Sequence, residues 1–584
     1  MRVGGKAIVT TALQINEKPQ TQETKDVKYT VITFAPVQGF IEKSRKLRDL
    51  YGASQILSYL SWKIVCAAKS KGFDVISPAI SEDDCINVAS VDIVQGMPNR
   101  ILIKGDFSGN DAHQALMEGW KEIVEACRKW LGENLEDLKI DDSGWARSWA
   151  RWKIHAWEVF WGGGDKIEKA MQDLETRKLR RGWTVPNWNG ESSSLSGHDA
   201  IAYPNMDREI THENKRNESR EREEIINFYE RLAAALEGSK QKDEPKYLDP
   251  SEKLSIPELI KRLVTHHQVS TLVDQIANEN RVIKHDDPKP VFRIDNFSEL
   301  LREDDKSGYW TGWFMGDGDE VGKHLKSLIE QEDVKNFSLS LRDWGKKFQN
   351  EFDLGRVVYA GGDDFFGVMY GDEKSPQRSG TKAIDWLLKL RNDWRGGKEG
   401  QPEKLGIKLS LGFVWAGHSV PQRDVLQHCR EAEKLAKNLG RDRVTIRVVF
   451  NNGQYVQWTT PWECLEWLKD YKDRDGKKAY CKNKTTDKLE WQKANWNHVY
   501  SDLGQLKARH AIPPATAENP KDDIAIELLS LYFDKDKDKE KKKMLSKSKW
   551  RKHLTGIDGD KQNQAVIAWI EGMILVGWQL CSNI

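Results

Sequence analysis

Two short acidic clusters carry most of the chemistry this sequence offers. VVYAGGDDFFGVM places Asp363 and Asp364 directly after Gly361 and Gly362, between two apolar runs. WFMGDGDEVGKHL places Asp317 and Asp319 at the end of another apolar run. Two carboxylates about 4 Å apart repel by roughly 4 kcal/mol at an effective dielectric near 20. Such a pair needs either screening water or a cation. A Gly-Gly-Asp-Asp turn alone would suit water equally well. An EF-hand is excluded, because Val321 and Leu328 would fill ligand positions of a loop that began at Asp317. Two strand-end carboxylate pairs separated by a helix suit nucleotidyl transfer instead, in which magnesium takes a few carboxylates together with substrate phosphates. A basic element accompanies them. In AEKLAKNLGRDRV, Lys434, Lys437 and Arg441 fall at a helix end and the following turn, within reach of a triphosphate. The same charges would also complement the helix dipole.

These residues need rigid elements beneath them. RVVYAGGDDFFGVMYG reads as a hairpin with Asp363 and Asp364 at its tip, and the glycines permit a positive φ or a close backbone approach. GYWTGWFMGDGDEVGKHL reads as strand, turn and helix. A helix over 380–395, a strand over 405–418, a helix over 425–440 and a strand over 443–450 follow. Upstream, 28–36, 73–79 and 100–107 read as strands, 37–68 as one amphipathic helix, and about 111–131 as another. That order fits a ferredoxin-like or palm-type α/β unit. Trp145, Trp149 and Trp152 share one face of a helical tract over 145–161, the pattern of a packing seam. Residues 213–246 read as a charged helix ending in a polar linker. A helix over 251–264 has Ser251 as its N-cap. The tail beyond 451 reads as mainly helical. The charge run 534–543 reads as a solvated loop, and 565–578 as a buried helix too short to cross a bilayer.

Taken together, these residues resemble the nucleotide-cyclase palm shared by GGDEF-type diguanylate cyclases and the large subunit of type III CRISPR effector complexes. GGDD (361–364) matches the second metal motif, GDGDEVG (316–322) the first, and AEKLAKNLGRDRV (432–444) the phosphate-binding helix and turn. QGFIEKSRKLRDLYGASQILSYL (38–60) is similar to the N-terminal palm signature of the Cmr-type CRISPR subunit. GFVWAGHSVPQRDVLQHCREAEKLAK (412–437), including His418, is similar to its second-palm motif. The resemblance implies an α+β chain with two ferredoxin-like palm domains, over 1–190 (with the Trp-rich extension) and 301–450. A mainly helical domain over 191–300 lies between them, and a helical domain over 451–584 follows. It implies polymerisation of ATP into cyclic oligoadenylate, switched on by target RNA. Two Mg²⁺ or Mn²⁺ ions would bind Asp317, Asp363 and Asp364. Gly361, Gly362, Lys437 and Arg441 would lie against the substrate, and Asp319 would assist. The implied partners are sibling subunits of the effector complex, CRISPR RNA, target RNA and ATP, with no membrane.

Two departures from the family are expected. The first palm strand begins near residue 28, which leaves no room for a histidine-aspartate nuclease domain. The isolated His198-Asp199 pair does not replace it, so no DNA cleavage is expected. Neither 192–197 nor 251–258 contains a cysteine, so an inter-palm zinc is not expected.

Composition narrows the alternatives. Ninety-one basic residues against 90 acidic ones give no overall basic excess, so any contact with RNA must come from local patches or partner subunits. Seven scattered cysteines without a CxxC pair favour a reducing, cytoplasmic setting over a disulfide framework. Two other functions fit the same residues: a diguanylate cyclase using GTP, and a catalytically inert scaffold that holds CRISPR RNA and sibling subunits.

Overall fold

The structure, a computed structural model, describes residues 28–80, 96–138, 142–180, 191–204, 218–238, 247–279, 292, 309–328, 331–371, 379–395, 405–483, 487–514, 517, 520–533 and 544–582. Its first half runs β1 (Tyr29–Ala35), α1 (Val37–Glu42), α2 (Leu47–Ser70), β2 (Asp74–Ser77), β3 (Arg100–Lys104), α3 (Gly109–Asn134), α4 (Asp142–His155), β4 (Glu158–Gly164) and α5 (Ile167–Lys178). The four strands form an antiparallel sheet in the order β2-β3-β1-β4, the arrangement of a split βαβ unit. Three helices follow: α6 (Glu218–Gly238), α7 (Ile256–Leu263) and α8 (His267–Glu279).

The second half begins with β5 (Thr311–Gly318), α9 (Val321–Ser327), α10 (Gln331–Glu351), β6 (Gly355–Gly361), β7 (Asp364–Met369), α11 (Gly380–Arg395) and β8 (Leu409–Ala416). It continues with α12 (Gln422–Asn438), β9 (Arg443–Val449) and β10 (Tyr455–Pro461). The sheet order is β10-β9-β8-β5-β7-β6. Within it, β8-β5-β7-β6 repeats the connectivity of the first sheet. The crossover α12 then adds β9 parallel to β8, and β10 closes the edge antiparallel. The remaining elements are β11 (Tyr480–Lys482), β12 (Leu489–Trp491), α13 (Asn497–Ala508), α14 (Asp523–Phe533), α15 (Ser548–Thr555) and α16 (Gln562–Cys581).

One helix ties the two sheets together. Most of α2 packs in the core of the first sheet with α3 and α7. Its first turn, Leu47, Leu50 and Tyr51, instead joins Trp313, Phe366, Val368 and Val414 on one face of the second sheet. Fully buried Asp49 is gripped by Arg262 of α7 through two hydrogen bonds, 2.5 Å to Oδ1 and 3.0 Å to Oδ2. Burial alone would raise the Asp49 carboxyl, but Arg262 outweighs it and holds the group below its ordinary value.

Several local expectations are corrected. The helical pattern over 37–68 is two helices, because Lys46 is extended and Asp49 accepts its N–H to start a new helix. The tract 145–161 is helix only to His155; beyond it, Glu158–Gly164 pairs along β1 as the fourth strand. The cap of α7 is Ser255, bonded reciprocally with Glu258, and not Ser251. The tail is not mainly helical at its start, since β10 extends the second sheet and β11 pairs with β12. Helix α16 is longer than expected and is apolar and long enough to cross a membrane. However, 67% of that apolar window is buried against the rest of the chain. The charge run 534–543 and Cys85 lie outside the described residues; the six described cysteines are free thiols.

Candidate active site

The acidic residues converge because β5 and β7 are sheet neighbours. Asp317 on β5 stands directly opposite Asp364 on β7, and period-two alternation then puts both side chains on one face. The hairpin that carries Asp364 turns over Gly362 and Asp363. Gly362 has a φ of +64° while Asp363 does not enter the left-handed region, the signature of a type II′ turn. A β-branched or bulky residue at 362 would be strained there. The Asp363 carbonyl accepts the Gly318 N–H at 3.0 Å and closes the hairpin onto β5.

The basic side comes from α12. Gly412 on β8 lets that helix sit close, since a Cβ there would meet the Cys429 carbonyl oxygen and the Glu433 nitrogen at 2.5 Å. The approach brings Lys437 to the acidic face, with Nζ 2.5 Å from Asp317 Oδ2 and also paired with Glu433. Beyond the helix, Gly440, Arg441 and Asp442 have φ of +120°, +61° and +50°. Two consecutive non-glycine residues in that region store strain. The Arg441 side chain is exposed, as is that of Lys434.

The electrostatics mark this cluster as a place for added positive charge. Burial, and then the charge of Asp317, push the Asp363 carboxyl up to about 6. Asp364 is pushed up by crowding protein atoms, by its hydrogen bond with Asp317, and by the charges of Asp363 and Asp317, although the residue keeps an open side to solvent. Burial would lower the Lys437 ammonium, but Asp317 and Glu433 hold it above its usual value. Burial and both hairpin aspartates raise the Tyr359 phenol beneath them. Crowded carboxyls that resist ionisation are a donor set a divalent cation would relieve. Among the described residues, no group of three acidic, histidine or cysteine side chains stands ready to hold an ion by itself. The fit is therefore to an ion that completes its shell with substrate oxygens, as magnesium does.

Not every expected residue takes part. Asp319 is only 5% exposed and is turned away from the pair, with its oxygens on Ser410 and Asp442. His418 lies past the far end of β8, near Asn451, whereas the carboxylates face the start of that strand. Asp199 is buried in an ion pair with Lys43 at 2.7 Å, a structural role. Helix α9 is a single short element, and a second helix, α10, separates it from the hairpin. Sequence reasoning missed Glu433 and Ser410. Glu433 was legible as the i, i+4 partner of Lys437. Ser410 was not, because only strand register places it opposite Asp317.

Two family profiles match separate parts of this chain. The family profile for the Cas10/Cmr2 second palm domain matches residues 310–445, and that for the N-terminal part of the CRISPR-associated protein Cmr2 matches 29–125. A CRISPR system Cmr subunit, Cmr2, from Pyrococcus furiosus is 29% identical over 115 residues, which span 19% of this chain and 12% of that protein. A type III-B Cmr-beta structure in the apo state has 12% identity and a TM-score of 0.46, covering 75% of this chain and 71% of that one. An apo Csm1-Csm4 cassette has 13% identity and a TM-score of 0.41, covering 97% and 71%. The first of the two profile matches spans Asp317, Asp363, Asp364 and Lys437, the second spans β1 to β3, and over these two stretches this chain is similar to the Cas10/Cmr2 family.

Proposed function

We propose that this chain is the nucleotidyl-transferring subunit of a type III CRISPR effector complex, joining ATP into cyclic oligoadenylate when target RNA binds. The two sheets would be its two palm domains. The observation that carries the reading is the facing pair Asp317 and Asp364, with Asp363 beside it and Lys437 above it. Asp317, Asp363 and Asp364 would hold Mg²⁺ or Mn²⁺, which supplies charge neutralisation for the departing pyrophosphate and a lowered pKa for the attacking hydroxyl. The 3′-hydroxyl of one ATP gives up its proton to solvent as its oxygen bonds to the α-phosphorus of the next, the bond from that phosphorus to the oxygen bridging to the β-phosphate breaks, and pyrophosphate leaves. Lys437 is anchored between Asp317 and Glu433, so its ammonium meets a phosphate without first being ordered. Exposed Arg441 offers a bidentate fork to the same triphosphate. No protein general base is required.

A second reading, an inert scaffold, is favoured by one observation: Lys437 already neutralises Asp317. One experiment separates the two. The purified assembly is incubated with ATP and Mg²⁺, with and without matching target RNA, and its products are analysed by mass. Oligoadenylate that appears only with target RNA and vanishes in D363A/D364A, with the complex still assembled, supports the enzyme. Oligoadenylate that persists in that variant removes the site assignment, and its absence from the wild type supports the scaffold.

A further inference from the structure

Both oxygens of Asp319 are already committed. Oδ1 accepts the Ser410 hydroxyl at 2.7 Å, and Oδ2 accepts the Asp442 backbone N–H at 2.8 Å. Its own N–H donates to the Lys408 carbonyl at 2.7 Å, and the Lys408 ammonium lies 3.5 Å from Asp442 Oδ2. This one buried side chain therefore stitches three segments together: the turn after β5, the start of β8, and the strained turn Gly440-Arg441-Asp442. Ser410 is also the residue opposite Asp317 in the sheet.

We propose that Asp319 is a positioning residue, and neither a metal ligand nor a substrate contact. Its hydrogen bond to Asp442 N–H holds the left-handed turn that presents Arg441 to the triphosphate. A buried donor left without its acceptor destabilises the conformation that needs it. Two non-glycine residues at positive φ would then relax toward commoner backbone states, taking the Arg441 side chain with them. The proposal rests on the nucleotidyl-transfer reading for its kinetic consequence, but not for its structural one.

The test compares D319A, D319N and R441A in the complete assembly. An asparagine can turn its carbonyl oxygen to Asp442 N–H and its amide to the Ser410 hydroxyl, keeping both links without the charge. D319A is expected to raise the KM for ATP by about tenfold, with the metal concentration for half-maximal rate unmoved. D319N should rescue most of that loss, and R441A should add little on top of D319A. Loss in D319N as deep as in D317N, a shifted metal requirement, or full additivity with R441A would overturn the proposal. If D364A still forms product, the site reading fails separately. Hydrogen exchange of residues 439–444 in the intact chain then decides the matter: exchange faster in D319A than in the wild type and restored in D319N supports the link, whereas equal exchange in the wild type, D319A and D319N ends it.

Discussion

The two sheets share one connectivity and differ in what stands at the strand ends. In the first, β1 runs out through Phe34, Ala35 and Pro36, with no carboxylate. In the second, the corresponding strand β5 runs out through Asp317 and faces Asp364 across the ladder. Among the described residues, the split βαβ frame is thus a scaffold, and the facing aspartates at the end of β5 and the start of β7 distinguish the second copy. The first sheet still matters to the site. Gly96, just before β3, lies against the Asp363–Asp364 hairpin: a Cβ on Gly96 would sit 2.1 Å from the Ala360 carbonyl oxygen, and one on Gly361 would sit 2.4 Å from the Gly96 oxygen. Arg100 on β3 also lowers the Asp363 carboxyl somewhat, against the larger effects that raise it.

Three changes probe how separate the two sheets are. The largest effect is expected from R262M, which leaves Asp49 buried and unpaired in α2, the helix both cores share. It should cost about 3–5 kcal/mol, and urea unfolding should shift both halves together. A shift confined to one of two transitions would show the sheets to be independent modules. Next comes G96A, a change in the first half alone. A methyl against the Ala360 carbonyl, at a φ of +74°, should cost about 2–3 kcal/mol and should reduce product formation from the second half. Unchanged turnover would show the hairpin to be indifferent to its neighbour.

The smallest effect is a gain. The folded pKa of Asp363, about 6, lies above its ordinary value of 3.8. Its contribution to stability is therefore fully present below about 3.8 and lost as pH rises through 6. Without metal, D363N should raise the stability of the chain at neutral pH by about 1–2 kcal/mol after allowance for solvent screening. The gain should fade below pH 4 and shrink when Mg²⁺ is added to the wild type. Thermal melts across pH would check it, and an equal gain at pH 3 would contradict it. β1 itself runs out through Phe34, Ala35 and Pro36 and carries no carboxylate for a matching substitution.

Much of this was legible before the fold. Gly-Gly-Asp-Asp between apolar runs specifies a tight hairpin, and the helix over 380–395 matches Gly380–Arg395 residue for residue. The misplaced boundaries are those where a distant partner decides. Lys46 breaks the first helix because Asp49 is held by Arg262, 213 residues away. Glu158–Gly164 is a strand because β1 is there to pair with it. YVQWTTP (455–461) alternates too weakly to read as a strand, yet it fills the open edge of β9.

The chain by itself determined which residue types are present, the local turn and helix propensities, and the family signature, since these depend on near neighbours. Only the tertiary structure decided that Asp317 faces Asp364, that Lys437 reaches both Asp317 and Glu433, and that Asp319 is turned inward. Two aspartates separated by a single residue look equivalent in sequence. Strand register and the close approach of α12 at Gly412 give one a place among the charges of the site and bury the other in hydrogen bonds.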